Sequence, residues 1–363
     1  MEDVVNPDFW NGKVVLVTGH TGFKGGWLCL WLQSLGAKVV GYALNPPTTP
    51  SLFEVAKVGE GMRSLIGDVG DLARRQAAVS GHAPQIVFHM AAQALVRSSY
   101  ADPVGTYATN IMGTAHLLEA VRKAQGVKVV VNVTSDKCYD NREWVWAYRE
   151  NEPLGGYDPY SSSKGCAELV TAAYRNSFFH PADYPRHGVA LASARAGNAI
   201  GGGDWAQDRL VPDFVRAVTR GESLTVRNAA AVRPWQHVLE PLRGYLLLAQ
   251  HLWSDGARYS EAWNFGPDED SAQSVQTVVE TLAALWDGGA GWRADTSAGQ
   301  AHEANFLKLD CSKARTKLGW HPRWDLRMAL ESTTAWYKAH QAGRDMRSFT
   351  LEQIARYAGQ RGQ

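Results

Sequence analysis

The chain has 363 residues, room for one large domain or two closely joined ones, and its 37 Lys+Arg against 36 Asp+Glu leave a formal net charge of +1. So even a balance excludes the broad field of a nucleic-acid or membrane-surface binder; neither partner is expected, and any anion site has to be built locally. Four cysteines at 29, 138, 166 and 311 show no CxxC or Cys/His spacing, so no metal is expected and the thiols read as buried hydrophobes of a reducing compartment.

The opening MEDVVNPDFWNGK lacks the basic flank and apolar core of a signal peptide, and no apolar run reaches membrane-spanning length, so a cytoplasmic protein is expected. Val14–Val17 is a β-branched run suited to a buried strand, and Gly19, Gly22 and Gly25 follow at spacings of three. Such a GxxGxxG turn lets backbone N–H groups approach a pyrophosphate and aims a helix N-terminus at it. The helical pattern GGWLCLWLQSLG and a second strand, Lys38–Ala43, complete a βαβ unit. Taken alone, the turn is weak evidence and also admits the reading of an ordinary strand–helix connection. Arg63–Gly67 is a third strand, and Asp71 is placed to cap a helix over Leu72–Ser80. Ile86–His89 is a fourth, leading into Met90-Ala91-Ala92-Gln93, whose small residues let the backbone lie close to a cofactor or pack tightly. Thr106–Ala124 reads as a helix, Val127–Val133 as a fifth strand, Asn141–Pro159 as a loop and Ser161–Phe179 as a helix. Val189–Ser193 is a sixth strand, followed by the glycine-rich Arg195–Asp204.

The second half changes character. Pro212–Arg220, Pro241–Leu252, Val275–Trp286 and Met328–His340 read as helices, and Leu224–Arg227 and Ala262–Phe265 as strands. The expected fold class is α/β: a Rossmann-type doubly wound parallel sheet with a smaller mixed α/β C-terminal substrate domain. The expected division is 1–196 plus 234–266 for the dinucleotide-binding part and 197–233 plus 267–363 for the nucleotide-sugar part. Ligands of open α/β sheets lie beyond the carboxyl ends of the strands, with the second-half segments as the opposite wall.

The chemistry-bearing residues fall at that edge. The fifth strand runs into Thr134-Ser135-Asp136-Lys137, and Tyr160 and Lys164 stand four apart at the start of a helix, on one face. A nearby ammonium favours phenolate, so the phenol can act as a base near neutral pH. Each residue also has a plain reading, a surface ring or a solvated ion pair; the set on a glycine-loop scaffold is what points to catalysis.

With these residues in view the chain resembles the extended short-chain dehydrogenase/reductase family. The residues that carry the likeness are Gly19/Gly22/Gly25, Asp68-Val69, Ala91-Ala92, Asn110 with Gly113-Thr114, and Tyr160-x-x-x-Lys164. GHTGFKGGWL, AAQALVRSSYADP, TSDKCYDN, RPWQHVLEPL and LDCSKARTKLGW run from end to end and resemble the CDP-glucose 4,6-dehydratase branch. The resemblance implies NAD as cofactor and CDP-glucose as substrate. Tyr160, supported by Lys164, would take the proton of the sugar 4-hydroxyl while C4 gives up hydride. Asp136 would act as acid on the departing 6-hydroxyl, and Ser135 would stabilise charge on the 4-oxygen. Lys137 stands where dTDP-glucose dehydratases carry a glutamate, and is either the C5 base or a cation that stabilises the enolate.

The resemblance also marks cofactor residues: Gly19, Thr21, Gly22, Phe23, Lys24 and Gly25, then Asp68 and Val69 beside the adenine, Ala91, Ala92, Gln93, Asn110, Thr134, Tyr160 and Lys164. Lys24 is read as a pyrophosphate neighbour or a solvated lysine. The second strand ends GYALNPP, with no carboxylate for a ribose 2′-hydroxyl and no cation for a 2′-phosphate, so NAD rests on the resemblance. For the substrate diphosphate, Arg195, Asn198, Arg209, Arg227 and Arg233 are candidates, with Asn198 and Arg233 favoured. Gln93, Arg97 and Ser98 are candidates for sugar or phosphate and His302-Glu303 for the cytidine ribose, while His237 reads as packed structure. Family members pair the helices of Thr106–Ala124 and Ser161–Phe179 into an intersubunit bundle, which implies a homodimer or larger homo-oligomer. The alternatives are a dTDP- or GDP-sugar dehydratase, a nucleotide-sugar 4-epimerase, or a silent dinucleotide-sensing protein.

Overall fold

The computed structural model describes residues 4–286, 291–295 and 306–360. At its centre are seven parallel strands: β1 Val14–Thr18, β2 Lys38–Ala43, β3 Arg63–Ile66, β4 Ile86–His89, β5 Val129–Val133, β6 Ala190–Arg195 and β7 Ala262–Asn264. Their spatial order is β7-β6-β5-β4-β1-β2-β3. The chain starts in the middle, runs outward through β2 and β3, and returns to build the other side, so the order reverses between β1 and β4. Doubly wound sheets bind ligands at such a reversal.

The sequence dictates this arrangement through residues apolar on both faces. Every residue of β4, β5 and β6 is buried, as expected of parallel strands covered by helices on both sides. The two-residue period sorts the side chains. Val15 and Val17 of β1, with Val129 and Val131 of β5, join the larger core. Leu16 and Val130 join the smaller core with Leu117, Leu118 and Val121. Six tryptophans (10, 27, 31, 263, 320 and 336) are fully buried packing residues.

The principal helices are α1 Phe23–Ser34, α2 Leu72–His82, α3 Gly113–Lys123, α4 Pro159–Ser177, α5 Leu210–Thr219, α6 Leu239–Ser254, α7 Val275–Leu285, α8 Leu326–Gln341 and α9 Met346–Gly359. Asp71 caps α2 by accepting from the Arg74 N–H at 3.0 Å. The single helix expected over Thr106–Ala124 is instead broken. A short helix Pro103–Tyr107 leads into a π turn, Ala108–Met112, before α3 begins. The widened turn frees Asn110, whose amide donates to the Gln93 carbonyl at 3.0 Å and to Ser163 Oγ at 2.8 Å, while its oxygen accepts from the Gln93 N–H at 2.9 Å. α9 has no counterpart in the sequence reading. It folds back on α1, with the Trp31 and Tyr357 rings 5.8 Å apart. The Tyr357 hydroxyl donates to Glu240 at the start of α6 at 2.6 Å.

The second half supplies three two-stranded pairs: 199–200 with 236–237, 232–234 with 272–274, and 224–226 with 292–294. The segment 141–158 is irregular, as its composition suggests, yet it is held in place. Tyr148 bridges to Leu309, and its ring stacks between Tyr139 and Trp144 at 5.1 and 5.5 Å. Among the described residues no helix is long and apolar enough to cross a membrane, and no three His, Cys, Asp or Glu are grouped to hold a metal ion.

Candidate active site

The glycine turn is fixed by contact with the next strand exit. Gly19 has φ +80°, and a Cβ there would stand 2.8 Å from the Ala91 nitrogen; one on Gly25 would stand 2.1 Å from the Gly19 oxygen. Thr18 Oγ1 accepts from the Met90 and Ala91 N–H groups at 3.0 and 3.1 Å, tying the ends of β1 and β4 together. α1 starts from Gly22, which has no side chain to cap it, so its first-turn donors face an uncapped, anion-favouring end. Thr21 closes the turn by donating to the Leu44 carbonyl at 2.9 Å. Asp68 is exposed and accepts the Gly70 N–H through Oδ1, and Val69 is buried in the core beneath it. Small, close-packed backbone at Gly19–Gly25 and Ala91–Ala92, facing an uncapped helix end, fits a dinucleotide.

Gln93 and Asn110 are committed to the protein itself. The Gln93 amide donates to the Leu95 carbonyl and to Thr106 Oγ1, both at 3.0 Å, and Asn110 clamps the Gln93 backbone to α4. Their side chains hold the loop that follows β4, and neither Gln93 nor Ser98 lines the central cleft.

At the exit of β5, Ser135 Oγ donates to Asp136 Oδ1 at 2.8 Å. Asp136 is 2% exposed, and its Oδ2 has no partner among the described residues. Gly197 makes room for it, since a Cβ there would stand 1.8 Å from Oδ2. Tyr160 and Lys164 come from the first turns of α4. Asp158 caps that helix, accepting from the Ser161 N–H at 2.9 Å and hydroxyl at 2.6 Å, and Pro159 opens it. Burial takes Lys164 down to about 8, against the pull of Cys138 and Glu168.

The Tyr160 phenol departs from the sequence expectation. Burial pushes it up to about 12, with hydrogen bonding toward Ser135 and the Arg209 charge opposing. Desolvation outweighs the attraction of nearby cations because the ring is enclosed, so the free protein holds a phenol rather than a phenolate. Lys24 does not fit the solvated reading. Its ammonium donates to Tyr245 Oη at 3.3 Å. Burial lowers it to about 8, with Lys164 and Arg209 adding to the fall and Asp136 opposing. It belongs to the catalytic end of the cleft and is no solvated lysine.

The cleft has a volume of about 1090 Å³ and runs from Lys24, Ser135, Asp136, Lys137, Tyr160 and Lys164 to the second-half segments. Arg97, Asn198, Arg209, Arg227 and Arg233 all line it. Arg209 pairs with Asp204 at 2.8 Å, and Asp208 lies between Arg227 at 2.8 Å and Arg97 at 3.5 Å, so one carboxylate joins the two walls. Arg195, a sequence candidate for the diphosphate, does not reach the cleft. β6 runs two residues further than expected and carries it into the core beside Glu168. His302 and Glu303 lie outside the described residues. His237 is wholly buried, between Trp27 and Trp324. Asp204, Asp208, Tyr245 and the Asn141–Glu143 loop are parts of the site that sequence reasoning missed. The only signal for the first two was the acidic DWAQDR string after the glycine run.

Residues 16–333 match the family model described as GDP-mannose 4,6 dehydratase. The chain is 56% identical over 354 residues, 98% of it and 98% of the relative, to a CDP-glucose 4,6-dehydratase of Salmonella typhimurium. A dTDP-glucose 4,6-dehydratase of Xanthomonas campestris pv. campestris is 27% identical over 356 residues, covering 90% of this chain and 93% of that protein. A double mutant of a dTDP-glucose 4,6-dehydratase from Streptomyces venezuelae, solved with NAD bound, has the same fold. Its TM-score is 0.74, with 91% of this chain and 98% of that one covered at 23% identity.

Proposed function

The chain belongs to the GDP-mannose 4,6 dehydratase family, and on that premise we propose that it converts CDP-D-glucose to CDP-4-keto-6-deoxy-D-glucose and water. It is a hydro-lyase that uses NAD and returns it unchanged. The carrying observation is the buried Asp136, its Oδ2 without a partner among the described residues, lining the same cleft as Ser135, Tyr160 and Lys164. A 4-epimerase has no use for an acid aimed at the sugar beyond C4.

NAD held against the α1 turn and the exits of β4 and β5 would supply a reversible hydride acceptor and a positive charge beside Tyr160. The Lys164 ammonium favours the phenolate against the burial that otherwise keeps Tyr160 protonated, and a bound, positively charged nicotinamide would act in the same direction. Tyr160 then takes the 4-hydroxyl proton as C4 loses hydride, and Ser135 donates to the forming carbonyl oxygen. The 4-ketone acidifies C5–H. Lys137, on the same wall, meets the C5 proton as base or stabilises the enolate as a cation, and Asp136 protonates the 6-oxygen as it leaves as water. A hydride to C6, which the bound cofactor would supply, and a proton to C5 would complete an overall loss of one water. Arg97, Asn198, Arg227 and Arg233 would face the diphosphate, with Arg209 held by Asp204. We further propose the division 1–196 plus 234–266 for the dinucleotide-binding unit and 197–233 plus 267–363 for the nucleotide-sugar unit.

The test is incubation with CDP-, dTDP-, GDP- and UDP-glucose, each scored for a 4-keto-6-deoxy product. Turnover of CDP-glucose is expected. Exclusive use of another nucleotide overturns the base assignment, and an epimer that keeps its 6-hydroxyl overturns the reaction.

We also propose a homodimer through α3 and α4. Leu169 on α4 is 59% exposed and Met112, just before α3, is 49% exposed, and Val104 and Tyr107 on the short helix before it are exposed as well. Leu169→Glu is expected to raise the dimer dissociation constant by about 10²-fold, read by sedimentation equilibrium. An unchanged constant would place the interface elsewhere. The four free thiols, three of them buried, fit a cytoplasmic protein.

A further inference from the structure

The face of α4 that carries Tyr160 and Lys164 continues one turn on to Glu168, whose side chain is 3% exposed. Three elements meet at its carboxylate. Thr134 Oγ1, at the exit of β5, donates to one oxygen, and Ser193 Oγ of β6 donates to the other at 2.7 Å. Arg195 at the end of β6 donates to that second oxygen at 2.8 Å. Arg195 passes the connection on, donating to Tyr139 Oη at 2.8 Å and to the Glu150 carbonyl at 3.0 Å, with its charge 4.9 Å over the Tyr139 ring. A buried ion pair adds little net stability over an apolar pair of the same size, because desolvation offsets its attraction. What this one does is geometric: it joins the helix bearing one pair of chemical groups to the strand end bearing the other.

We propose that Glu168 is a positioning residue of the catalytic centre, locking α4 with Tyr160 and Lys164 against the β5 exit with Ser135 and Asp136, and supplying negative charge one turn from Lys164. The inference rests on the dehydratase reading of the site. The charged and titratable groups that face Lys164 are Lys24 from α1, His89 from β4, Asp136 and Cys138 after β5, and Tyr160 and Glu168 from its own helix. Glu168 is an anion in this set that supports the ammonium from behind, away from the substrate.

Glu168→Gln keeps the shape and removes the charge. With NAD and CDP-glucose, kcat is expected to fall by about 10–100-fold while KM stays within about 2-fold, as for a misplacement of catalytic groups. The alkaline fall of kcat, where Lys164 loses its proton, should move to lower pH by about one unit, since losing an anion disfavours the ammonium. Thr134→Val cuts one bond and leaves the ion pair; it should lower kcat by about 3–10-fold without moving that limb. An unchanged kcat in either variant, or a Glu168→Gln loss with an unmoved limb, overturns the proposal. If Glu168→Gln does not fold, Thr134→Val decides alone. Wild-type protein that forms no 4-keto-6-deoxy product would defeat the dehydratase reading instead, which separates the two failures.

Discussion

Tyr160→Phe is expected to lower turnover of CDP-D-glucose by about 10³–10⁴-fold, the range for loss of a positioned general base together with its support. The substitution removes one oxygen from a ring that is 8% exposed, so the packing around α4 is kept. The helix cap at Asp158 and the Lys164 ammonium are untouched. KM should change little and NAD should still co-purify, as measured by release of nucleotide on denaturation. On the acid side of the profile the wild-type rate should rise with pH as Tyr160 is deprotonated in the cofactor complex, below the value of about 12 to which burial pushes it in the free protein, until loss of the Lys164 proton brings the rate down. In Tyr160→Phe that dependence disappears. A variant with more than a tenth of wild-type turnover would remove Tyr160 from the chemistry.

Asp136→Asn separates the two halves of the reaction. With the proposed roles, oxidation at C4 by way of Tyr160 and Lys164 is expected to survive, while departure of the 6-hydroxyl as water would lose its acid. Turnover is expected to drop by about 10²–10⁴-fold, and reduced cofactor should build up in stopped-flow absorbance because the hydride has no acceptor at C6. The asparagine fits, since Oδ2 has space made for it by Gly197. A variant that slows oxidation and elimination alike, with no reduced cofactor accumulating, would mean that Asp136 serves binding rather than proton transfer.

What the sequence made legible is what short-range pattern controls. β-branched runs marked the strands, and β4 falls on Ile86–His89, the residues read for it. Three glycines at spacings of three marked the turn, and a Tyr/Lys pair four apart marked one helical face. Such features repeat within a few residues and need no partner from elsewhere. The parts that stayed hidden depend on contacts across the chain. Lys24 looks like any lysine on an amphipathic helix until α6 brings Tyr245, 221 residues away, to its ammonium. Arg195 looked like a diphosphate ligand because its strand was ended two residues early, and its true partner is Glu168 on a different element. The break at Asn110 is written in a tertiary hydrogen-bond set rather than in helical period. The phenol's high proton affinity in the free protein is hidden for a similar reason: spacing shows the neighbouring amine, but the degree of enclosure follows only from the assembled cleft.

The return of α9 onto α1 has a consequence for how the molecule is made. The indole of Trp31, on the helix that follows the glycine turn, is roofed by Tyr357, and Glu240 accepts a hydrogen bond from the same tyrosine. On the ribosome, the nascent glycine turn emerges first but its helix stays bare on that side until residues 346–359 have cleared the exit tunnel. The packing of that helix is therefore complete only once residues 346–359 have been made.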